Sequence, residues 1–148
     1  MSFDQPIIFI ACDHGGFPLK NHLIKKFPKI QWLDLGTHSE ERVDYPDYAT
    51  KLCQKIKDKP EARGVLICSS GQGMAMRANK YSHIRAALVW SKESTCLARE
   101  HNNANVLCFG ARLLKFELAE ELLSLFLKTA FEGGRHTHRV EKLSFAAD

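Results

Sequence analysis

The sequence predicts one α/β domain in which a five-stranded parallel sheet is covered by helices on both faces. Two observations carry this prediction: short apolar runs alternate with longer stretches of helical period, and those runs contain few polar residues. A strand covered on one face alternates apolar and polar residues, whereas a strand covered on both is apolar throughout. The length of 148 residues, 45% of them hydrophobic, suits a single domain over residues 1–148 and is too short for two ordinary ones.

The five apolar runs are rich in Ile, Val, Leu and Phe and have the length of strands. They cover residues 7–12, 31–35, 64–68, 84–90 and 105–109. The stretches that follow them have helical length and cover residues 18–27, 46–57, 73–81, 92–101 and 113–131. The last shows the clearest helical period, with one apolar face formed by Leu114, Leu118, Leu122, Leu125 and Phe126. The chain therefore repeats a strand–helix unit five times.

Right-handed crossovers wind such a chain into a doubly wound sheet. For five strands the common solution is the flavodoxin-like, Rossmann-type order 2-1-3-4-5, here with a C-terminal helix and a basic tail. In this order the ligand crevice lies beyond the carboxyl ends of strands 1 and 3. We therefore expect the turn CDHGG at residues 12–16 to face the turn CSSGQG at residues 68–73.

The turn at residues 68–73 is suited to an anion. Gly71 and Gly73 permit close backbone approach, and the helix after them directs free N–H groups into the crevice. Cys68 lies beside that helix start, where a thiolate is stabilised and can act as a base or a nucleophile. A tight structural turn with a packed cysteine would have the same sequence, so both interpretations stay open.

Other polar residues next to predicted strand or helix ends are candidates for ligand contacts. Asp13 and His14 suit a hydroxylated or phosphorylated ligand, although Asp13 can equally cap the next helix. His101 ends the fourth helix, where it can act on a ligand or satisfy the terminal carbonyl groups.

The tail EGGRHTHRVEKL is basic. Arg135 and Arg139 are four residues apart, so on a helix they share a face and can grip one phosphate; a solvated tail is the alternative. His136 and His138 do not make a metal site by themselves, because no carboxylate or cysteine cluster of metal-binding spacing accompanies them. We therefore expect no metal.

Composition excludes several classes of protein. Lys and Arg outnumber Asp and Glu by 21 to 17 without a basic run, so nucleic-acid binding has little support and a small anionic substrate fits better. The five cysteines form no Cys-x-x-Cys pair and are odd in number, which favours a reducing compartment. The first apolar run is too short for a signal peptide or a membrane span. We therefore expect a soluble cytoplasmic protein.

Five motifs carry a resemblance to a known family. The stretches ACDHGG, DLGTHSEERVDYPDYA, ICSSGQGMAMRANK, REHNNANVLCFGAR and EGGRHTHRV follow one another from about residue 7 to residue 143. In this order they resemble the type B ribose-5-phosphate isomerase family, which also includes allose-6-phosphate and galactose-6-phosphate isomerases. The resemblance implies a flavodoxin-like fold and a homodimer, sometimes paired into a tetramer, with active sites at the subunit interface.

The implied reaction interconverts ribose 5-phosphate and ribulose 5-phosphate through a cis-enediolate, without metal or cofactor, in the non-oxidative pentose phosphate pathway. By motif position, Cys68 is implied to be the base that moves a proton between C2 and C1. Ser70 is implied to help transfer the O1/O2 proton, and His101 to open the sugar ring.

The resemblance also implies binding roles. It assigns the turn amides to the developing enediolate rather than to phosphate, over Ser69, Gly71, Gln72 and Gly73. The phosphate contacts are His14, Arg135 and Arg139; the sugar-hydroxyl contacts are Asp13 and Tyr45; the supporting ligands are Asn102 and Arg112. The resemblance further implies that His101, Asn102 and the tail arginines meet the Cys68 turn of the other subunit.

Two positions depart from common family patterns. Ser69 stands where many members have glycine, which adds a Cβ to the turn. Met74 stands where one branch has a glutamate base, so the cysteine mechanism is the one expected here.

Three alternatives remain at this stage. A six-carbon aldose phosphate could be isomerised in the same site. A non-catalytic nucleotide- or flavin-binding module could use the same fold, although the first turn lacks Gly-x-Gly-x-x-Gly and only Asp34 lies near a ribose-anchoring position. A thiol-redox role is weaker, because Cys68 has no Cys-x-x-Cys partner.

Overall fold

A five-stranded parallel sheet lies at the centre of the computed structural model, which describes residues 6–147. The strands are β1 (Ile8–Cys12), β2 (Trp32–Asp34), β3 (Arg63–Cys68), β4 (Ala86–Leu88) and β5 (Val106–Gly110). The helices are α1 (Phe17–Lys26), α2 (Tyr45–Ile56), α3 (Gln72–Ala78), α4 (Lys92–Glu100), α5 (Phe116–Lys128) and α6 (Thr137–Leu143). Single 3-10 turns at His14–Gly16 and Gly134–His136 precede α1 and α6. The predicted α/β class is therefore confirmed.

The strands lie in the order β2-β1-β3-β5-β4, so the predicted order 2-1-3-4-5 is wrong for the last two strands. β5 pairs with β3, and β4 forms the edge. Burial explains the exchange: every residue of β5 is buried, whereas the three residues of β4 are only partly buried. Each fully buried Val, Leu or Phe side chain contributes about 1.5–3 kcal/mol, so the more apolar strand VLCFG is favoured in the sheet centre over AAL.

The helices form two layers. α2 and α3 pack on one face of the sheet, and α1, α4 and α5 pack on the other. Successive strand residues point to opposite layers, as Ile67 and Cys68 of β3 do. Because the chain runs back from β4 to β5, a right-handed crossover requires α4 on the face opposite to α3, as observed.

The parallel strands give the sheet a carboxyl edge and an amino edge. The turns that follow β1, β3 and β5 lie at the carboxyl edge, and the connections that lead from helices into strands lie at the amino edge. A five-residue strand such as β5 separates the two edges by about 13 Å. Within residues 6–147, no helix has the length and apolar character needed to cross a membrane.

Candidate active site

Two polar turns meet at the carboxyl edge, one after β1 and one after β3. The backbone N–H of Asp13 donates to the carbonyl oxygen of Ile67 at 3.2 Å. Gly15 lies so close to the second turn that a Cβ atom there would collide with Ser69 Oγ. The two turns are therefore in contact, as the pairing of β1 with β3 requires.

Cys68 ends β3, and the turn after it folds its backbone around the sulfur. Cys68 is 5% exposed and lies in the layer of α2 and α3. The backbone N–H of Gly71 donates to Cys68 Sγ at 3.1 Å. Gly71 has a φ of 76° just before α3, a left-handed conformation that glycine adopts readily. An N–H directed at the sulfur stabilises negative charge there, as a thiolate base requires.

Three other cysteines are held as thiols. Burial raises the pKa of Cys12 to about 12 and that of Cys53 to about 12. Burial raises the pKa of Cys108 as well, with a further contribution from its neighbour Cys68. These three side chains therefore stay protonated at neutral pH and serve as core residues.

The start of α3 presents backbone N–H groups beside the sulfur, because the first N–H groups of a helix have no partner within it. The N–H of Gln72 reaches Ser70 Oγ at 3.4 Å. Tyr45, the first residue of α2, lies over this helix start: a Cβ atom on Gly73 would collide with the Tyr45 ring. The absence of a side chain at Gly73 therefore lets the Tyr45 hydroxyl approach the turn.

Asp13 and His14 have defined orientations beside the Cys68 turn. Asp13 Oδ1 accepts a hydrogen bond from the Gly16 N–H at 3.1 Å, so its capping role is real. The N–H of Val43 donates to His14 Nδ1 at 3.2 Å. In the neutral ring the proton then lies on Nε2, and this N–H is available to an anionic ligand.

Arg112 joins the same edge through the turn after β5. Its backbone N–H donates to the carbonyl oxygen of Ser69 at 3.0 Å, and the N–H of Ala111 donates to that of Cys68 at 2.9 Å. The Arg112 side chain is exposed. A helix was predicted from residue 113, but α5 begins at Phe116, and the intervening turn is what holds Arg112 against the Cys68 turn.

The remaining predicted site residues lie at the amino edge: His101, Asn102, Arg135 and Arg139. The first two follow α4, in the connection that leads into β5. The other two lie in the tail, which is tied to the end of α4 because the Glu132 N–H donates to the carbonyl oxygen of Glu100 at 3.1 Å. Within one chain, these four residues are therefore separated from Cys68 by the length of the sheet.

The structure also brings together three residues at the amino edge, which we call the tail cluster: His101, Glu132 and His136. The rings of His101 and His136 stack with centroids 4.2 Å apart. Glu132 Oε2 lies 3.5 Å from His136 Nε2 and 4.0 Å from His101 Nε2. The expectation that no carboxylate accompanies the tail histidines is therefore wrong for His136. Glu132 and His136 are four residues apart, a spacing that brings side chains together on a helix. The flexible pair Gly133 and Gly134 lies between them, so the sequence provides no reason to expect a helical turn there.

His136 is the least exposed member of the tail cluster, at 7%. Its Nε2 is buried and has no hydrogen-bond partner among the described residues. Burial lowers the pKa of His136, and the neighbouring His101 and Arg135 lower it further, so this ring is less readily protonated than a free imidazole.

Asp34 does not serve as the ribose anchor that a nucleotide-binding module would need. Both of its carboxylate oxygens lie 2.7 Å from Nζ of the buried Lys20, and Oδ1 also accepts from the Gly36 N–H at 2.9 Å. This ion pair joins β2 to α1 and occupies the carboxylate.

Comparisons with known proteins agree with this geometry. The sequence model of the Ribose/Galactose Isomerase family matches residues 8–143. The probable ribose-5-phosphate isomerase B of Mycoplasma pneumoniae is 44% identical over 146 residues, which cover 97% of this chain and 95% of that protein. The crystal structure of a ribose 5-phosphate isomerase from Thermotoga maritima superposes with a TM-score of 0.91 at 45% identity, covering 94% of this chain and 97% of that one.

A third relative carries a ligand. The ribose-5-phosphate isomerase B of Mycoplasma genitalium, solved with bound ribulose-5-phosphate, superposes with a TM-score of 0.88 at 40% identity over 93% of each chain. The family match spans residues 8–143, a range that includes the two turns and the tail described above. The chain therefore belongs to the ribose/galactose isomerase family.

Proposed function

We propose that the chain is an aldose–ketose isomerase that interconverts ribose 5-phosphate and ribulose 5-phosphate, a step of the non-oxidative pentose phosphate pathway. Membership of the family and the ribulose-5-phosphate bound to the Mycoplasma genitalium relative support this substrate. The observation that carries the proposal is the Cys68 sulfur, held 3.1 Å from the Gly71 N–H at the crevice between β1 and β3.

The reaction moves one proton between neighbouring carbons. In the open-chain aldose, the Cys68 thiolate removes the proton from C2; the electrons of the broken C–H bond form the C1=C2 double bond, and the π electrons of the C1 carbonyl move onto O1 to give the cis-enediolate. The sulfur then returns the proton to C1, while the Ser70 hydroxyl carries a proton from O2 to O1. A positioned base of this kind contributes roughly a hundredfold to ten-thousandfold to the rate.

The backbone of the Cys68 turn stabilises the enediolate. The Gly71 N–H lies 3.1 Å from the sulfur, and the N–H groups of Gln72 and Gly73 follow it at the start of α3, on the side where negative charge develops on the sugar oxygens. Ser69 and Gln72 shape this turn, and Asp13 and Tyr45 contact the sugar hydroxyl groups. Charge stabilisation and proton transfer therefore take place within one turn of backbone.

The phosphate lies further out. The His14 Nε2–H points away from the hydrogen bond that fixes Nδ1, and it donates to a phosphate oxygen. Arg135, in the 3-10 turn, and Arg139, in α6, are both exposed, and they supply two guanidinium groups for the same phosphate. Asn102 and Arg112 support the bound sugar phosphate.

A second copy of the chain completes each site. His101, which opens the sugar ring, and the tail arginines lie at the amino edge, about 13 Å of strand away from Cys68. A two-fold axis that sets the amino edge of one chain against the carboxyl edge of another forms two complete sites at once. We therefore propose a homodimer, which can pair into a tetramer.

We further propose that residues 1–148 form one domain that works without a cofactor in the cytoplasm. All five cysteines are free, which suits a reducing compartment.

The experiment that tests the function measures conversion of ribose 5-phosphate by protein treated with a chelator. Wild type should turn over rapidly, and Cys68→Ala should lose at least about a hundredfold in kcat. Cys96→Ala, at a partly exposed cysteine outside the site, is the matched control and should retain full activity. Undiminished turnover by folded Cys68→Ala would remove Cys68 from the role of base.

The family description includes galactose, which favours a six-carbon aldose phosphate as the second candidate substrate. Turnover of allose 6-phosphate and galactose 6-phosphate beside ribose 5-phosphate distinguishes the two. A higher kcat/KM for a six-carbon substrate would replace ribose 5-phosphate as the assigned substrate and leave the chemistry unchanged.

A further inference from the structure

The tail cluster has the donor set of a metal site. His101, Glu132 and His136 each offer one ligand atom, and these atoms lie within 4.8 Å of one another. Two imidazole nitrogens and one carboxylate oxygen, with a position left for water, are the ligands of several catalytic zinc sites. Hard cations such as Mg²⁺ prefer oxygen donors, whereas Zn²⁺ and its neighbours accept imidazole.

The two distances from the carboxylate to the imidazole nitrogens are close to those of a tetrahedral site. Metal–ligand bonds of about 2.0–2.1 Å place neighbouring ligand atoms about 3.3 Å apart. The carboxylate oxygen Oε2 of Glu132 already lies 3.5 Å from His136 Nε2 and 4.0 Å from His101 Nε2. Shifts of less than an ångström would therefore bring each nitrogen to the distance from the carboxylate oxygen at which both atoms can bind one metal ion.

The stacked rings must turn for both nitrogens to bind one ion. An imidazole lone pair lies in the plane of its ring, and the two ring planes are stacked at an angle of only 15°. In this arrangement the two lone pairs do not converge on one point. The torsion that orients a histidine ring has a broad energy profile, so converging rotations of the two rings are inexpensive. The side chain of Glu132 is about half exposed and can follow them.

An independent observation points to a ligand at this place. The Nε2 atom of His136 is buried and lacks a hydrogen-bond partner within the described chain, and it faces Glu132. A buried polar atom without a partner is unfavourable, and native structures usually supply one. A metal ion bound at Nε2 would supply the missing partner.

The backbone around the tail cluster is fixed before any ligand binds. The guanidinium of the buried Arg99 donates to the carbonyl oxygen of Thr129 at 3.0 Å, and the Glu132 N–H donates to that of Glu100 at 3.1 Å. These bonds hold the tail against the end of α4. The nearby charge of Arg135 opposes a cation, but that side chain is exposed and screened by solvent, whereas Glu132 lies in direct contact.

We propose that His101, Glu132 and His136 bind a divalent transition-metal ion, Zn²⁺ foremost, and that the bound ion inhibits the enzyme. Binding rests on the geometry alone. Inhibition rests on the proposed function, because the ion would take up the His101 imidazole that opens the sugar ring.

Co²⁺ is the probe for binding, since its visible absorption reports tetrahedral ligands. The titration is carried out in Cys68→Ala protein, so that the catalytic thiol cannot contribute. Glu132→Gln and His136→Gln should each weaken Co²⁺ binding at least about tenfold, because even the loss of an outer-shell partner costs that much at metal sites. Glu141→Gln and His138→Gln change exposed residues of α6 outside the cluster and should bind like the parent.

The fold of each variant is checked by circular dichroism. Glu132→Gln keeps the test decisive if His136→Gln fails to fold, since the Glu132 side chain is half exposed. Equal binding by Glu132→Gln and the parent protein, or no binding by the parent, would overturn the site.

Inhibition is measured with otherwise wild-type protein. Zn²⁺ should inhibit wild type and Glu141→Gln at the same concentration, and Glu132→Gln should need at least about tenfold more. Equal inhibition of all three would mean that Zn²⁺ acts outside the tail cluster, which would overturn the inhibitory role. An inactive chelated wild type that still binds Co²⁺ would refute the proposed function and leave the metal site intact.

Discussion

Replacement of Gly71 by alanine is expected to reduce both stability and catalysis, because two constraints act on this residue. Its φ of 76° lies in the left-handed region. A Cβ atom there would lie 2.6 Å from Leu88 Cδ1 and 2.8 Å from the carbonyl carbon of Phe109. The Leu88 methyl group can move aside, but the backbone at Phe109 is held in β5 between β3 and β4. The clash therefore has to be relieved by the Cys68 turn itself.

The structure sets the size of the effect. A left-handed alanine costs about 1–2 kcal/mol, and forcing a methyl group into a packed site costs about 1–3 kcal/mol more. We therefore expect Gly71→Ala to lower the free energy of unfolding by about 2–5 kcal/mol. Gly134→Ala is the matched control, because Gly134 has a φ of 55° but no atom within 4 Å of the added Cβ. In Gly134→Ala the free energy of unfolding should fall only by the cost of the left-handed backbone, about 1–2 kcal/mol.

Urea unfolding at one fixed protein concentration measures both variants, since the stability of an oligomer depends on concentration. Turnover of ribose 5-phosphate measures the second effect: displacing the Gly71 N–H from the sulfur and the enediolate should reduce kcat about a hundredfold to a thousandfold. Equal stability of the two variants would refute the close contact with β5. Full turnover by folded Gly71→Ala would refute the role of the Gly71 N–H.

Three further predictions test other parts of the molecule. Cys68→Ala and His101→Asn should each be inactive alone, but an equal mixture allowed to exchange subunits should regain about a quarter of wild-type turnover, because half of the dimers then hold one intact site; no recovery after exchange would contradict a shared site. His14→Ala should raise the KM for ribose 5-phosphate about tenfold to a hundredfold through loss of a charge-assisted hydrogen bond, and an unchanged KM in steady-state kinetics would exclude His14 from phosphate binding. Because burial raises the pKa of Cys12 and Cys53 from 9.0 to about 12, both should resist iodoacetamide at pH 9.0 in native protein and react in urea, as mass spectrometry can determine. As the pH rises from 9.0 towards about 12, the unfolded chain releases these two protons first, so stability should fall over this range.

The carboxyl edge was largely predictable from the sequence. Two apolar runs that end in CDHGG and CSSGQG sufficed to predict strands β1 and β3, and a doubly wound sheet places those strands side by side. Each turn is local in sequence, so Asp13, His14 and the residues from Cys68 to Gly73 could be assigned to one crevice before any coordinates. The contact of Tyr45 with Gly73 could not, since it depends on how α2 packs against α3.

The amino edge shows why the rest could not be predicted. Two of the three residues between Glu132 and His136 are glycines with positive φ, so no helical or strand period connects the two side chains, although the 3-10 turn sets them 3.5 Å apart. His101 joins them only because α4 and the tail are held together by hydrogen bonds between distant residues. Such contacts depend on tertiary structure, on which single-sequence patterns carry no information.

The order of the last two strands matters for the chemistry as well as for the fold. In the predicted order, β4 would lie beside β3, and the apolar residues 88–90 would border Cys68. In the observed order, the register sets Gly110 of β5 opposite Cys68, and the turn after β5 hydrogen bonds to the backbone of Cys68 and Ser69. A Cβ atom at Gly110 would lie 2.5 Å from the Ser70 carbonyl oxygen, so the bare backbone of β5 is what lets the Cys68 turn fold closely beside it. The burial that drives β5 into the sheet centre therefore also brings Arg112 to the edge at which the proton transfer is proposed to occur.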